Sequence, residues 1–453
     1  MSNYNSIIEQ NNLDLTSILS TINELPDANE GGVDINGTIR NYTVAANETI
    51  NAGDFVSIIP EPEVGTDTRV ITSAQTGHFV AAAALDANRV FVAYSYGTSY
   101  LLYGRVYTVE NGVATGGTAV KLSSTTNLAN QQIGCVALDS SRVFISYASS
   151  AGIAYGMVCT INNTTITAGT GTALNVDSDD VVDGGCKVVK VAEDVVLMYW
   201  CEQMVNIWGC VCSIDGNAIT AGSVSSILST DGTPCARQVA VKDLIVYIPG
   251  EAVSDLDVPV SCVTINPEGL SFSKSDATYA YDTDVEDTAY HYIDTAATTL
   301  LPSGQILLTA RTWSGPRMAY WCGASSNYGY GGNSPRSGCL VLGQTHLFFT
   351  DSLTTLSATF FEIANAGLTN AEHKSLSTGS NTGAYADYVI MGEDENDIFI
   401  IHSYGSSYTQ SAIVLSNVLK AATTKNGSTP HGIAKTSGVA GETIEVYFPS
   451  LGA

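Results

Sequence analysis

The chain has 453 residues, 45% of them hydrophobic and only 14% charged, a composition that suits a globular, β-rich protein and excludes a disordered one. Eighteen Lys and Arg against 44 Asp and Glu leave a formal net charge of −26, which repels phosphate backbones and anionic lipid heads and so excludes nucleic acid and membrane surfaces as expected partners. No apolar run is long enough for a membrane span, and the start Met1-Ser2-Asn3-Tyr4-Asn5 lacks the basic and then apolar pattern of a secretory leader, so synthesis and residence in a cytosol are expected.

Residues 1–26 carry Ile8, Leu15 and Ile22 at seven-residue intervals, with Ile18 and Leu25 on the same stripe and Pro26 ending it. That spacing predicts a short amphipathic helix. About three heptads are marginal alone, so the helix is expected to dock on a partner protein or to oligomerise with copies of itself. Asn11 on the seam is compatible with fixing a register.

Beyond the acidic stretch Asp27 to Gly32 the pattern changes to period two. Thr38 to Val44 and Asp54 to Ile59 read as strands, the second closed by Pro60 and Pro62. A repeat then begins. Leu85-Asp86-Ala87-Asn88-Arg89-Val90-Phe91-Val92-Ala93-Tyr94 returns 53 positions later as Leu138-Asp139-Ser140-Ser141-Arg142-Val143-Phe144-Ile145-Ser146-Tyr147, with six of ten residues identical. Val113-Ala114-Thr115-Gly116 likewise becomes Ile166-Thr167-Ala168-Gly169 and then Ile219-Thr220-Ala221-Gly222, and Gly156 returns as Gly209.

A fixed period of that size is the mark of stacked supersecondary units. Residues 129–176 divide into four strands separated by Asp, Ser, Asn and Gly turns. Further units show themselves by a second strand at Asp194 to Tyr199, Asp243 to Tyr247, Gln305 to Thr309 and Asp397 to Ile401, with room for one more between 309 and 397. Four short strands per unit in six or seven units predict an all-β chain built on a β-propeller of six or seven four-stranded blades over 66–418. The last unit lacks a fourth strand, and the segment around Arg69-Val70-Ile71 is expected to supply it and close the ring. A closed ring brings its entry and exit together, so 33–62 and 419–453 are expected to form one small β-domain in two pieces.

The ends also carry a resemblance. Asn51-Ala52-Gly53-Asp54-Phe55-Val56, together with Gly432-Ile433-Ala434 through Val446, resembles the small β-domains of bacteriophage virion proteins, including head-decorating and tail-fibre proteins. The polar, Asn-rich leader from Ile7 to Pro26 is similar to the N-termini of such proteins in phages of Gram-positive hosts. The resemblance covers about 90 residues at the two ends. It implies a component of the virion surface, made in the host cytoplasm and held to capsid or tail proteins by the N-terminal helix and the flanking β-domain, and it brings no catalytic residue.

Ten cysteines are present, most inside apolar strand-like runs, where the thiol behaves as a small hydrophobe. Cys210 and Cys212, assigned to opposite faces of one strand, are read as unable to clamp one ion together. Neither a CxxC nor an HxxxH spacing occurs among the ten Cys and six His, so no metal or other cofactor is expected. The acidic run Asp282, Asp284, Glu286 and Asp287 lacks the order of a calcium loop and reads as a solvated loop.

An enzyme is not expected. Sialidases share the propeller scaffold, but their Ser-x-Asp-x-Gly-x-x-Trp turn finds only Ser213-Ile214-Asp215-Gly216-Asn217, and two of the nine arginines, Arg89 and Arg142, recur at the repeat period beside a turn, where a structural role fits. The stronger signal is aromatic. Tyr96 and Tyr100 in Ser-Tyr-Gly-Thr-Ser-Tyr are matched by Tyr404 and Tyr408 in Ser-Tyr-Gly-Ser-Ser-Tyr, and equivalent turns hold Trp200, Trp208, Trp313 and Trp321, with Tyr328 and Tyr330 close by. Flat rings beside small hydrogen-bonding residues suit a sugar ring or a protein surface. The function expected is therefore display of a propeller on a phage particle to bind a host-surface glycan or protein. A decorating or bracing role without a ligand is the first alternative, and a propeller glycosidase the second.

Overall fold

The computed structural model describes residues 37–69, 80–97, 100–123, 133–174, 182–202, 206–229, 238–250, 258–275, 278–280, 293–301, 304–312, 318–322, 340–343, 345–351, 357–364, 367–376, 386–392, 396–404, 409–423 and 430–449. Everything regular among them is β. The helix expected over 1–26, and with it Ile8, Leu15, Ile18, Ile22 and Leu25, lies outside the described residues. The chain divides into two compact units, one made of 1–61 with 419–453 and the other of 62–418.

In the smaller unit Gly37–Val44, Leu419–Thr423, Phe55–Pro60, Gly432–Ala434 and Thr443–Pro449 close into a five-stranded barrel. Their alternation puts Tyr42, Val44, Val56, Ile58, Ala421, Ala434, Ile444 and Val446 inside. The tight turn before Phe55–Pro60 is set by Asp54, whose carboxylate accepts the Asn51 backbone N–H at 2.8 Å. Gly53 beside it sits at φ +90°, a backbone that side chains rarely adopt.

Among the described residues of the larger unit seven antiparallel sheets follow one another. Their opening strands are Val80–Asp86, Gly134–Asp139, Val182–Ala192, Ala240–Lys242, Ile293–Leu300, Leu340–Leu342 and Ala386–Met391. In each sheet the second strand pairs with the first and the third with the second. The outer position is filled by short pieces such as Val113–Gly116 and Val120–Lys121, both paired with Leu101–Glu110. One backbone bond recurs at the end of the third strand. Val109, Ile161, Ile214, Ile265, Ile363 and Val418 each donate to a carbonyl in the turn between first and second strands of their own sheet, at 2.7–2.9 Å.

Every sheet packs on the next. Apolar clusters join the first to the second, the second to the third and the third to the fourth. Thr298 joins fourth to fifth, accepting from Ala240 N–H at 2.9 Å and donating to Tyr247 C=O at 2.5 Å. Leu301 and Leu307 pack with Leu347 and Phe361 between fifth and sixth, and Phe348 meets Tyr388 edge-on, with centroids 5.3 Å apart, between sixth and seventh. A last cluster packs Phe399, Ile401, Ala412 and Val414 of the seventh sheet against Val80, Val92, Tyr94 and Tyr107 of the first. The succession therefore closes on itself as a propeller-like ring. The seventh sheet takes its outer strand from the start of the unit, where Thr68–Arg69 pairs with Ala412 and Ser411, and Glu63–Val64 with Ser416 and Leu415.

The turns between first and second strands lie on one rim and the links between second and third strands on the other. On the first rim Arg89 ties the first sheet to the second. Its Nε donates to Asp86 Oδ2 at 2.7 Å, while Nη2 and Nη1 donate to the Ser140 and Asn163 carbonyls at 3.0 and 3.1 Å. Arg142 repeats the device one sheet on, reaching Asp139, Asp194 and the Gly216 carbonyl. The next position at the 53-residue spacing is Val195, and the device ends there.

Candidate functional site

The opposite rim, where second strands end and third strands begin, carries a repeated aromatic arrangement. Tyr94 faces Tyr103 across the ladder in the first sheet, Tyr147 faces Tyr155 in the second, and Trp200 faces Trp208 in the third. The inner members stand 53 residues apart, and Trp208 follows Tyr155 by 53. Tyr147 and Tyr155 stack at 5.4 Å and 13°, and Tyr94 and Tyr103 at 6.0 Å and 25°. Such directly opposed residues are neighbours by the geometry of a strand pair.

The two members of a pair differ in exposure. Tyr94, Tyr147 and Trp200 are buried in the seam with the preceding sheet, and burial pushes the Tyr94 and Tyr147 phenols up to about 12. Tyr103, Tyr155 and Trp208 are half-buried at the edge of the same seams. A glycine follows each outer ring, and the reason lies on the other face of the sheet. A Cβ on Gly104 would come within 2.9 Å of the Phe91 ring, and one on Gly156 within 2.6 Å of the Phe144 ring. Behind Gly209 the close neighbour is Ile227 Cδ1, at 2.5 Å, so aromatic-Gly is one unit, with a ring on one face and room for a bulky apolar side chain on the other.

Trp200, expected on the binding rim, is a correction: it is 1% exposed and fills the seam between second and third sheets with Phe144, Ala148 and Cys210. Tyr96, Tyr100 and Trp208 are partly exposed. Tyr96 meets Tyr103 edge-on at 5.3 Å, and Tyr100 turns the chain into the third strand at φ +48°. Tyr404 ends the second strand of the seventh sheet as Tyr96 ends that of the first, and those two sheets pack together. Trp321 lies in Met318–Cys322, across from Leu307. Trp313, Tyr328, Tyr330, Tyr408 and the acidic run Asp282 to Asp287 lie outside the described residues. Tyr103 and Tyr155 were not among the expected site residues, although an aromatic residue before a glycine at the repeat period marks the second of them.

The seam between seventh and first sheets holds the richest set. Tyr94, Tyr96 and Tyr103 cluster there at its rim end. Arg105, two residues along the third strand from Tyr103, sets its positive charge beside Tyr94 and Tyr107. From the seventh sheet, Gln410 shares the strand face of Ala412 and Val414, which pack in this seam. Gln410 is 0% exposed, and neither its Oε1 nor its Nε2 has a hydrogen-bond partner among the described residues.

Two other groupings bring chemically active side chains together. His402 Nε2 lies 3.7 Å from Asp67 Oδ1 at the ring closure. Burial raises the Asp67 carboxyl, but hydrogen bonds from His402 and Ser411 and the His402 charge more than offset it, and the net direction is down. Here the aspartate touches both partners, whereas nucleophilic catalysis requires the histidine to take the serine proton. Cys210 and Cys212 were expected on opposite faces. Their sulfurs are in fact 3.9 Å apart, because residues two apart in a strand share a face. Both thiols are buried. Among the described residues no cluster of three or more Cys, His, Asp or Glu could hold a metal ion.

No family model matches the chain, and no curated protein matches it. It aligns with a crystal structure of a protein of unknown function from Dyadobacter fermentans DSM 18053, at 12% identity and a TM-score of 0.48, over 79% of this chain and 100% of the other. It also aligns with AofleA from Arthrobotrys oligospora at 8% identity and a TM-score of 0.42, over 90% of this chain and 99% of the other.

Proposed function

We propose that this chain is a surface protein of a phage particle, and that its propeller binds a host-surface glycan through the rim formed where second strands end and third strands begin. The observation that carries the binding half is the aromatic pair built three times at one place, Tyr94 with Tyr103, Tyr147 with Tyr155 and Trp200 with Trp208. Each pair combines a buried ring that sets position with a half-buried ring that keeps one edge at the surface. Ring faces and edges at a rim suit the C–H faces of a pyranose. The virion half rests on the resemblance of residues 51–56 and 432–446 to small β-domains of phage virion proteins. A net charge of −26 suits a protein displayed in many copies without association.

The test has two parts. Electron cryo-microscopy of particles locates the protein, and an interior or absent location ends the virion reading. Adsorption of particles carrying Tyr103→Ala, Tyr155→Ala and Trp208→Ala together should fall steeply, with the protein still incorporated. Unchanged adsorption would leave bracing or decoration as the function.

A further inference from the structure

The seam between seventh and first sheets holds a buried side-chain amide, Gln410, with both polar atoms open among the described residues. Its floor is apolar, with Tyr107 against Phe399 at 5.4 Å between centroids. Moving toward the rim, Ile401 and Ala412 come next, opposite one another on the ladder, and then Ser403 and Gln410. On the facing sheet the same direction leads from Val92 and Arg105 to Tyr94 and Tyr103, and then to Tyr96. Gln410 therefore stands at the depth where three tyrosine rings gather.

A buried amide with neither atom bonded is costly. Val92, Ile401 and Ala412, its neighbours down the seam, are apolar, with Arg105 beside Val92 as the charged exception, and a leucine at 410 would continue the apolar side without penalty. Retaining glutamine at that depth makes sense when something brings a donor and an acceptor to it. Vicinal hydroxyls on a saturated ring do so with adjacent atoms, and the ring's C–H faces meet tyrosines. The net charge of −26 opposes an anionic ligand at long range.

We infer that the seam between the seventh and first sheets is a pyranose subsite, in which the Gln410 amide pairs with two neighbouring hydroxyls of a neutral sugar while Tyr96 and Tyr103 contact its ring. Gln410 is completely buried, so the side chains over it must move aside before two hydroxyls reach the amide, and the rest of the ring stays at the half-buried tyrosines. This inference rests on the glycan-binding reading above and assigns that reading a specificity residue.

The experiment uses the full-length protein with the methyl glycosides of glucose, galactose, mannose and N-acetylglucosamine. Saturation-transfer NMR detects binding, and the Gln410 side-chain amide resonances are followed during titration, with Gln410→Leu and Gln410→Met identifying them. At least one glycoside should show transfer and move those resonances. Gln410→Leu should bind it about ten-fold or more weaker, with a Tm equal to or above that of the wild type. Binding that leaves the Gln410 resonances unmoved, or that is equal in the variant, overturns the subsite and leaves glycan binding elsewhere on the rim intact. Absence of transfer with all four glycosides overturns the subsite and counts against glycan recognition itself.

Discussion

Arg142 Nη2 donates to Asp194 Oδ1 at 2.8 Å, from the second sheet to the third. The same guanidinium holds Asp139 of its own turn through Nε at 2.7 Å. One side chain thus fixes both the shape of a turn and its attachment to the neighbouring sheet, which the planar fork of arginine permits and a lysine would not. Arg89 does the same between first and second sheets, but onto backbone carbonyls, so its seam has no second carboxylate to lose.

Arg142→Ala should destabilise the protein by roughly 1–2 kcal/mol, a range set by charge-assisted hydrogen bonds that are partly open to solvent. Asp194→Ala should cost less, because Arg142 keeps Asp139. Chemical denaturation of both variants and of the double variant checks this, and the double variant should cost less than the sum of the two.

The pH dependence of stability follows from the same turn. Burial raises the Asp139 carboxyl, but hydrogen bonds from Ser141 and Arg142, with the Arg142 charge, outweigh it and hold the group at about 2 against its ordinary 3.8. A carboxylate depressed on folding contributes stability above its unfolded value and loses it as pH falls toward the folded value. Stability should therefore drop between about pH 4 and pH 2. Asp139→Asn should flatten that drop and lower stability at pH 7, as measured by denaturation midpoints across the range.

Much of the larger unit was legible in the sequence because its signal is local and repeated. The 53-residue phrase contains the end of one strand, a turn and most of the next strand, so Leu85 to Tyr94 and Leu138 to Tyr147 match residue for residue, and the pairing of Arg69 with Ser411 in the last sheet follows from counting strands. Depth was not legible. Tyr147 and Trp200 occupy equivalent places, yet nothing in one dimension shows that the second-strand ring lies under the third-strand ring, so Trp200 read as exposed and Tyr155 went unnoticed. Gln410 gave no signal at all, since a lone glutamine before Ser411 looks like any polar strand end. Cys210 and Cys212 differ from expectation for a simpler reason: a spacing of two in a strand keeps the face and does not change it.

The difference between inner and outer rings predicts separable phenotypes. Trp200→Ala empties a fully buried site and should cost about 3–5 kcal/mol, lowering the Tm by several degrees. Trp208→Ala removes a half-buried ring and should cost markedly less while weakening adsorption. Thermal unfolding alongside particle adsorption tests the pair. Equal destabilisation by both would mean that Trp208 is core as well, and that the third sheet offers no ring to a ligand.

Burial of the thiols leads to a chemical prediction. Burial pushes the Cys159 thiol up to about 12 and Cys186 higher still, and only the thiolate is nucleophilic. Neither should be alkylated by iodoacetamide in the folded protein at pH 8, and both should react after unfolding, as peptide mass spectrometry reports. Cys262, partly exposed in the fourth sheet, serves as the internal control.

Gly156 offers the sharpest test of the arrangement that holds the aromatic pairs. A methyl group there would lie 2.6 Å from Phe144 Cζ, and Phe144 is fully buried between second and third sheets, with no room to withdraw. Gly156→Ala should cost about 1–3 kcal/mol, as overpacking does. Gly104→Ala, with its nearest ring atom at 2.9 Å, should cost somewhat less. Pairing Gly156→Ala with Phe144→Leu should recover part of the loss, because the smaller side chain leaves space for the added methyl. A double variant no more stable than the sum of the two singles would show that the glycine serves backbone conformation instead of the ring behind it.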